Sequence, residues 1–139
     1  MISFNIENVS LKLSKRLLLK SWIKSTIAEE KKQASDISFI FCSDEYLLGI
    51  NREYLNHSYY TDVITFDYTD GLTVSGDIFI SIDTVKANAE EFEQAFYTEL
   101  YRVMVHGVLH LCGYKDATDS EKTVMRQKED YYLTKLNIE

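Results

Sequence analysis

Residues 2–6 alternate apolar with polar, the period of a strand with one buried face. Over 14–33 the spacing lengthens to that of a helix, with Leu18, Trp22, Ile23 and Ile27 along one side and Ser14 placed as N-cap. Residues 37–42 (ISFIFC) are few and rich in β-formers and predict a buried strand, after which Ser43 caps a short helix ending at Asn51 or Tyr54. Two more strands are predicted at 63–68 and 74–82, joined through Thr69, Asp70 and Gly71, residues with hairpin chemistry. Gly76 inside the second of these implies a bulge or a close backbone approach. Asp83 is placed to cap a helix over 84–93. The next helix covers 96–112, with Leu100, Val103, Met104, Val108 and Leu111 as its apolar set, and Gly113 stops it. Thr118, Asp119, Ser120 and Glu121 form a capping-box pattern that opens a last helix reaching about Leu136. The pattern predicts an α+β fold, a single domain over residues 1–139 with about four strands in one mixed sheet packed with helices.

Composition supports a globular chain able to bury its own core: 45% of the 139 residues are hydrophobic and 27% charged. Cys42 and Cys112 are far apart in sequence and sit within apolar runs, so they read as two buried thiols in a reducing compartment. The N-terminal stretch lacks the apolar run of a signal peptide, and no segment approaches the ~18 apolar residues that cross a bilayer. The expected location is therefore the cytoplasm, with no membrane partner. A net charge of −7 argues against a surface built for nucleic acid as a whole, but it leaves room for a small basic strip on one face. Lysines and arginines do gather in 12–24 and 122–128, where they read as solvated helix faces.

The chemistry is concentrated in 106–116, HGVLHLCGYKD. Histidines at i and i+4 of a helix share one face, so His106 and His110 can converge on one ion. Gly113 suits the left-handed conformation that ends a helix and turns the chain back, which brings Asp116 beside that face. Two imidazoles and one carboxylate make a three-donor site that leaves a position for water. Asp119 is a rival third donor, but its place in the capping pattern favours Asp116. The zinc-peptidase motif carries a glutamate after its first histidine; Gly107 stands there instead, so the peptidase base is missing. Water activated by a divalent ion remains available, which favours cleavage of a phosphodiester or another activated bond. Glycine inside a helix costs ~1 kcal/mol relative to alanine, so Gly107 also implies the close approach of another backbone.

The same stretch resembles the signature of the YbeY family of ribosomal-RNA maturation endoribonucleases, H-G-x-L-H-L-x-G-Y-D-H. Upstream, 50–54 (INREY), 61–66 (TDVITF) and 76–81 (GDIFIS) are similar to three further blocks of that family, in family order. The resemblance implies a zincin-like fold with the metal site on a helix, and one divalent ion, zinc. It also implies a single-strand-preferring endoribonuclease of small-subunit ribosomal RNA maturation and ribosome quality control, with ribosomal RNA or pre-ribosomal particles as partner and not DNA. Two departures stand out. The family's third histidine is Asp116, preceded by Lys115 where the family has aspartate, and the family's arginine after the tyrosine is Leu55. Arg52, one helical turn before Leu55, is the candidate to present a guanidinium in its stead, for catalysis or RNA contact, and Lys115 is a second candidate RNA contact.

Three other residues carry weaker expectations. His57 reads as a turn residue more than a ligand. Asp62, ahead of an apolar strand, reads as a loop holder through backbone N–H groups. Asp77 either lines the cleft or is the outward member of an alternating strand. Two other readings compete: a metal-dependent hydrolase of small molecules or peptides, and a ribosome-assembly factor whose metal is structural.

Overall fold

The computed structural model describes residues 1–55 and 61–136. Its sheet contains β1 (Ile2–Ile6), β2 (Gln33–Cys42), β3 (Val63–Asp67) and β4 (Thr73–Ser81), in the order β1-β2-β4-β3. The first three in that order run parallel and β3 is antiparallel to β4, so the sheet is mixed. The helices are α1 (Arg16–Glu29), α2 (Asp44–Leu55), α3 (Ile82–Glu91), α4 (Phe96–Leu111) and α5 (Asp119–Lys135). One domain of α+β class results, as the hydrophobic pattern implies.

Strand periodicity divides the core between two faces. Ile37, Phe39 and Phe41 of β2 and Ile78 and Ile80 of β4 share one face, buried with Leu19 and Ile23 of α1 and Val108 of α4. α5 joins the same core through Met125 and Tyr132, and Trp22 of α1 donates its indole N–H to the carbonyl of Tyr132 at 2.8 Å. On the opposite face α2 covers Cys42 and Ile64 with Leu47, flanked by Phe66 and Phe79. Cys42 and Cys112 are both free and buried.

Several local expectations need correction. α1 starts from Lys15 in a left-handed conformation without a side-chain cap, so Ser14 does not cap it. Its buried stripe is Leu19, Trp22, Ile23, Thr26 and Ile27; Leu18 lies about one step round the helix and is exposed. α1 ends at Glu29, because Lys31 adopts φ +65° and closes a turn in which Lys31 and Lys32 donate to the carbonyls of Ala28 and Ile27. β2 then begins at Gln33, four residues before the apolar run. α3 is capped by Ser81, whose hydroxyl accepts from the Thr84 N–H, and not by Asp83. Strand therefore passes into helix with no loop, and Ile82 belongs to the helix.

Other signals hold. Ser43 accepts from the N–H of Tyr46 at the start of α2, Gly71 takes φ +60° in the β3–β4 turn, and Thr118 and Glu121 form the capping box of α5. Gly76 marks a close approach: a Cβ there would sit 2.4 Å from the Phe66 carbonyl oxygen. The bulge lies across from it in β2, where the register slips between Ala34 and Ile37.

Candidate metal centre

α4 lies against the sheet closely enough that a Cβ on Gly107 would meet Ile78 Cγ2 at 2.8 Å. The close neighbour is a side chain of β4 and not a backbone, which corrects the sequence expectation. His106 and His110 stand one turn apart on the half-buried side of α4. Gly113, at φ +104°, ends the helix with its N–H on the carbonyl of His110 and the Tyr114 N–H on that of Leu109. The chain then doubles back and delivers Asp116.

The three side chains meet. His106 Nε2 and His110 Nε2 are 2.9 Å apart, and Asp116 Oδ2 lies 3.2 Å from the first and 3.5 Å from the second. Among the described residues they form the one group of three donor side chains close enough to hold a metal ion. Asp119, exposed at the start of α5, is not part of it.

The far side of each ring decides what the near side can do. His106 Nδ1 lies 2.5 Å from Glu129 Oε2, and His110 Nδ1 lies 2.9 Å from the Tyr114 carbonyl oxygen. A carboxylate and a carbonyl oxygen both accept, so each Nδ1 carries a proton and donates it. In the neutral rings both Nε2 atoms then present lone pairs to each other beside a carboxylate oxygen. Such a donor set fits a divalent cation, with nitrogen and oxygen ligands of the kind zinc accepts.

Glu129 is the functional residue that sequence reasoning missed. It is 4% exposed, on the same face of α5 as Met125 and Tyr132. A glutamate at the i+4 position of an apolar stripe was the available signal, because a charge there must find a partner. Glu129 Oε1 accepts from Arg102 Nη1 at 3.0 Å, and Arg102 Nη2 reaches Asp130 at 2.7 Å. Burial pulls the His106 pKa down, but the hydrogen bond and charge of Glu129, with Asp116 and Asp62, outweigh it and the net shift is upward.

Asp62 faces this cluster. Burial raises its pKa against the pull of His106 and of hydrogen bonds from its own N–H and that of Val63. Glu99, two turns of α4 before His106, is likewise raised by burial. Asp77 accepts from the Tyr68 hydroxyl at 3.2 Å on the α2 side of the sheet, so it is the outward member of its strand. Arg52 and Lys115 are both exposed, Arg52 on α2 and Lys115 beside Asp116. His57 lies outside the described residues.

A sequence model of the family described as Endoribonuclease YbeY matches residues 2–137. Among similar proteins, the Endoribonuclease YbeY of Phocaeicola vulgatus is 46% identical over 138 residues, covering 99% of this chain and all of its own. That of Flavobacterium psychrophilum is 48% identical over 138 residues, 99% of this chain and 98% of its own. The solution structure of TM1509 from Thermotoga maritima superposes with a TM-score of 0.67 at 26% identity, over 98% of this chain and 89% of that one.

Proposed function

This chain belongs to the endoribonuclease YbeY family, and we propose that it is a metal-dependent endoribonuclease of small-subunit ribosomal RNA maturation and ribosome quality control. Its substrate is ribosomal RNA or a pre-ribosomal particle, cut in single-stranded stretches, and its place is the cytoplasm. Among the described residues no helix is long and apolar enough to cross a membrane. The observation that carries the reading is the convergence of the two histidine Nε2 atoms and the Asp116 carboxylate on one point.

His106, His110 and Asp116 would hold the zinc, which when bound would supply an acidified water and a charge to polarise a phosphoryl oxygen. The chain's own residues do the rest. Tyr114 and Glu129 hold the two rings, and the three donors leave one side open: 44% of the Asp116 side chain is exposed. Structural zinc is usually closed by four protein ligands, so a group of three donors among the described residues, at an open surface, favours a catalytic role. In a protein of charge −7 the RNA backbone must be met locally. Lys115 is next to a ligand. Arg126, 63% exposed, lies 4.0 Å from Glu129, the carboxylate behind His106. Arg52 is assigned the guanidinium role left vacant at Leu55.

The test is cleavage of single-stranded and structured RNA, beside casein, by protein with and without added zinc. The proposal expects zinc-dependent cuts in the single-stranded RNA, intact casein, and loss of activity with chelator. Casein cleavage without RNA cleavage would overturn it in favour of a peptidase.

A further inference from the structure

We propose that Glu129 is a positioning residue of the metal centre, holding His106 as a ligand, with Arg102 locking Glu129 in turn. The inference rests on the metal reading above.

A buried carboxylate on an otherwise apolar helix face is retained against a desolvation cost. An ion pair fastening α5 to α4 would explain one of its oxygens, since Oε1 meets Arg102 at 3.0 Å. It does not explain the second. Oε2 is spent on His106 Nδ1 at 2.5 Å, the ring atom opposite the one that faces Asp116. Arg102 bridges Glu129 and Asp130 with its two terminal nitrogens, so the carboxylate is gripped from behind and its free oxygen is aimed. The two histidines are thus supported unequally. His110 has a neutral main-chain carbonyl behind it, and His106 has a full negative charge. A carboxylate behind an imidazole fixes its tautomer and makes the opposite nitrogen a stronger donor. α5 therefore shapes the centre without touching the ion.

Glu129→Gln and Glu129→Ala are measured for zinc affinity by competition with a chelating dye, for thermal unfolding, and for the His106 ring by ¹⁵N NMR of zinc-free protein. Glu129→Gln keeps the shape and an acceptor, and is expected to bind zinc about 10–100-fold more weakly while holding the Nδ1–H form. Glu129→Ala is expected to weaken further and to show His106 as a mixture of tautomers. Arg102→Gln, which frees the carboxylate, gives a smaller loss of affinity than Glu129→Gln. If Glu129→Gln binds zinc as the parent does and Glu129→Ala leaves the His106 tautomer unmoved, Glu129 only fastens two helices and the proposal is overturned, whatever happens to the melting temperature. If the parent itself binds no zinc, the metal reading fails; the tautomer comparison on the Ala variant still decides whether Glu129 sets His106.

Discussion

His106 and His110 face each other Nε2 to Nε2 at 2.9 Å, with each Nδ1 donating to a protein oxygen on its far side. Two lone pairs at that distance repel unless a cation or a proton lies against them. The arrangement is built on rigid elements, since both rings stand on one helix and their spacing is fixed by its pitch. Binding an ion there asks for little reordering of the protein.

His110→Ala removes one of the two. The core of the domain does not depend on the ion, because the buried residues of α1, α4, α5 and the sheet form a continuous cluster. The variant is expected to keep its far-UV circular dichroism and a cooperative melt while losing most bound metal. Elemental analysis of protein purified without chelator checks it, and a full equivalent of zinc in the variant would remove His110 from the ligand set.

Asp116 brings a carboxylate oxygen to the candidate metal centre. A carboxylate oxygen favours harder ions more than an imidazole does. Asp116→His should keep zinc and lose ground for manganese, and Asp116→Asn, with a neutral amide oxygen, should bind both more weakly than either. Titrations of the three proteins with the two ions test this. Superposable curves would mean that Asp116 is not a ligand.

How much of the centre was legible follows from how local each signal is. The i, i+4 histidines, Gly113 and the Thr118 capping box are patterns within a few residues, governed by helix geometry and backbone sterics, and the structure has all three. Glu129 is 23 residues from His106 and meets it only because α5 folds back along α4. The Lys31 turn shows the other limit. It is the same helix-ending device as at Gly113, built on a residue with a Cβ, so composition gives no warning. β2 runs four residues further back than its apolar run because Gln33 and Ala34 pair with Thr73 and Val74, a long-range contact.

The two glycines that let α4 and β3 lie close predict a ranking. A Cβ at Gly107 meets the branched, fully buried side chain of Ile78, which can shift slightly. Overpacking of that kind costs ~1–3 kcal/mol, offset by ~1 kcal/mol of improved helix propensity. A Cβ at Gly76 meets the Phe66 carbonyl, part of a paired strand that cannot yield. Urea unfolding should therefore find Gly76→Ala more destabilised than Gly107→Ala, with Gly107→Ala still below the parent. The reverse order would contradict the packing.

Glu30 makes stability depend on acidity. Burial alone would raise its pKa, but hydrogen bonds from Tyr114, Tyr132 and Lys128 and the charge of Lys128 carry it below the ordinary 4.5. A carboxylate depressed by folding contributes fully above its unfolded pKa, and that contribution drains away as pH falls through the folded value. Glu30→Gln should thus melt lower than the parent at pH 6–7, an expected range set by the ~4.3 of a free glutamate. The gap should close progressively below pH 4.5. A gap independent of pH would point to lost hydrogen bonds alone.

Tyr114 serves three masters at once. Its N–H closes α4 on Leu109, its carbonyl holds His110, and its hydroxyl reaches Glu30 at 2.6 Å. Two of those three bonds belong to the main chain. Any residue that can follow Gly113 in this conformation presents the same carbonyl to His110, so the orientation of that ring is encoded in the path of the backbone and is insulated from mutational drift at its own support. The two histidines then differ in heritability: a single base change at codon 129 can unseat the partner of His106, whereas the partner of His110 survives every substitution that leaves the turn intact.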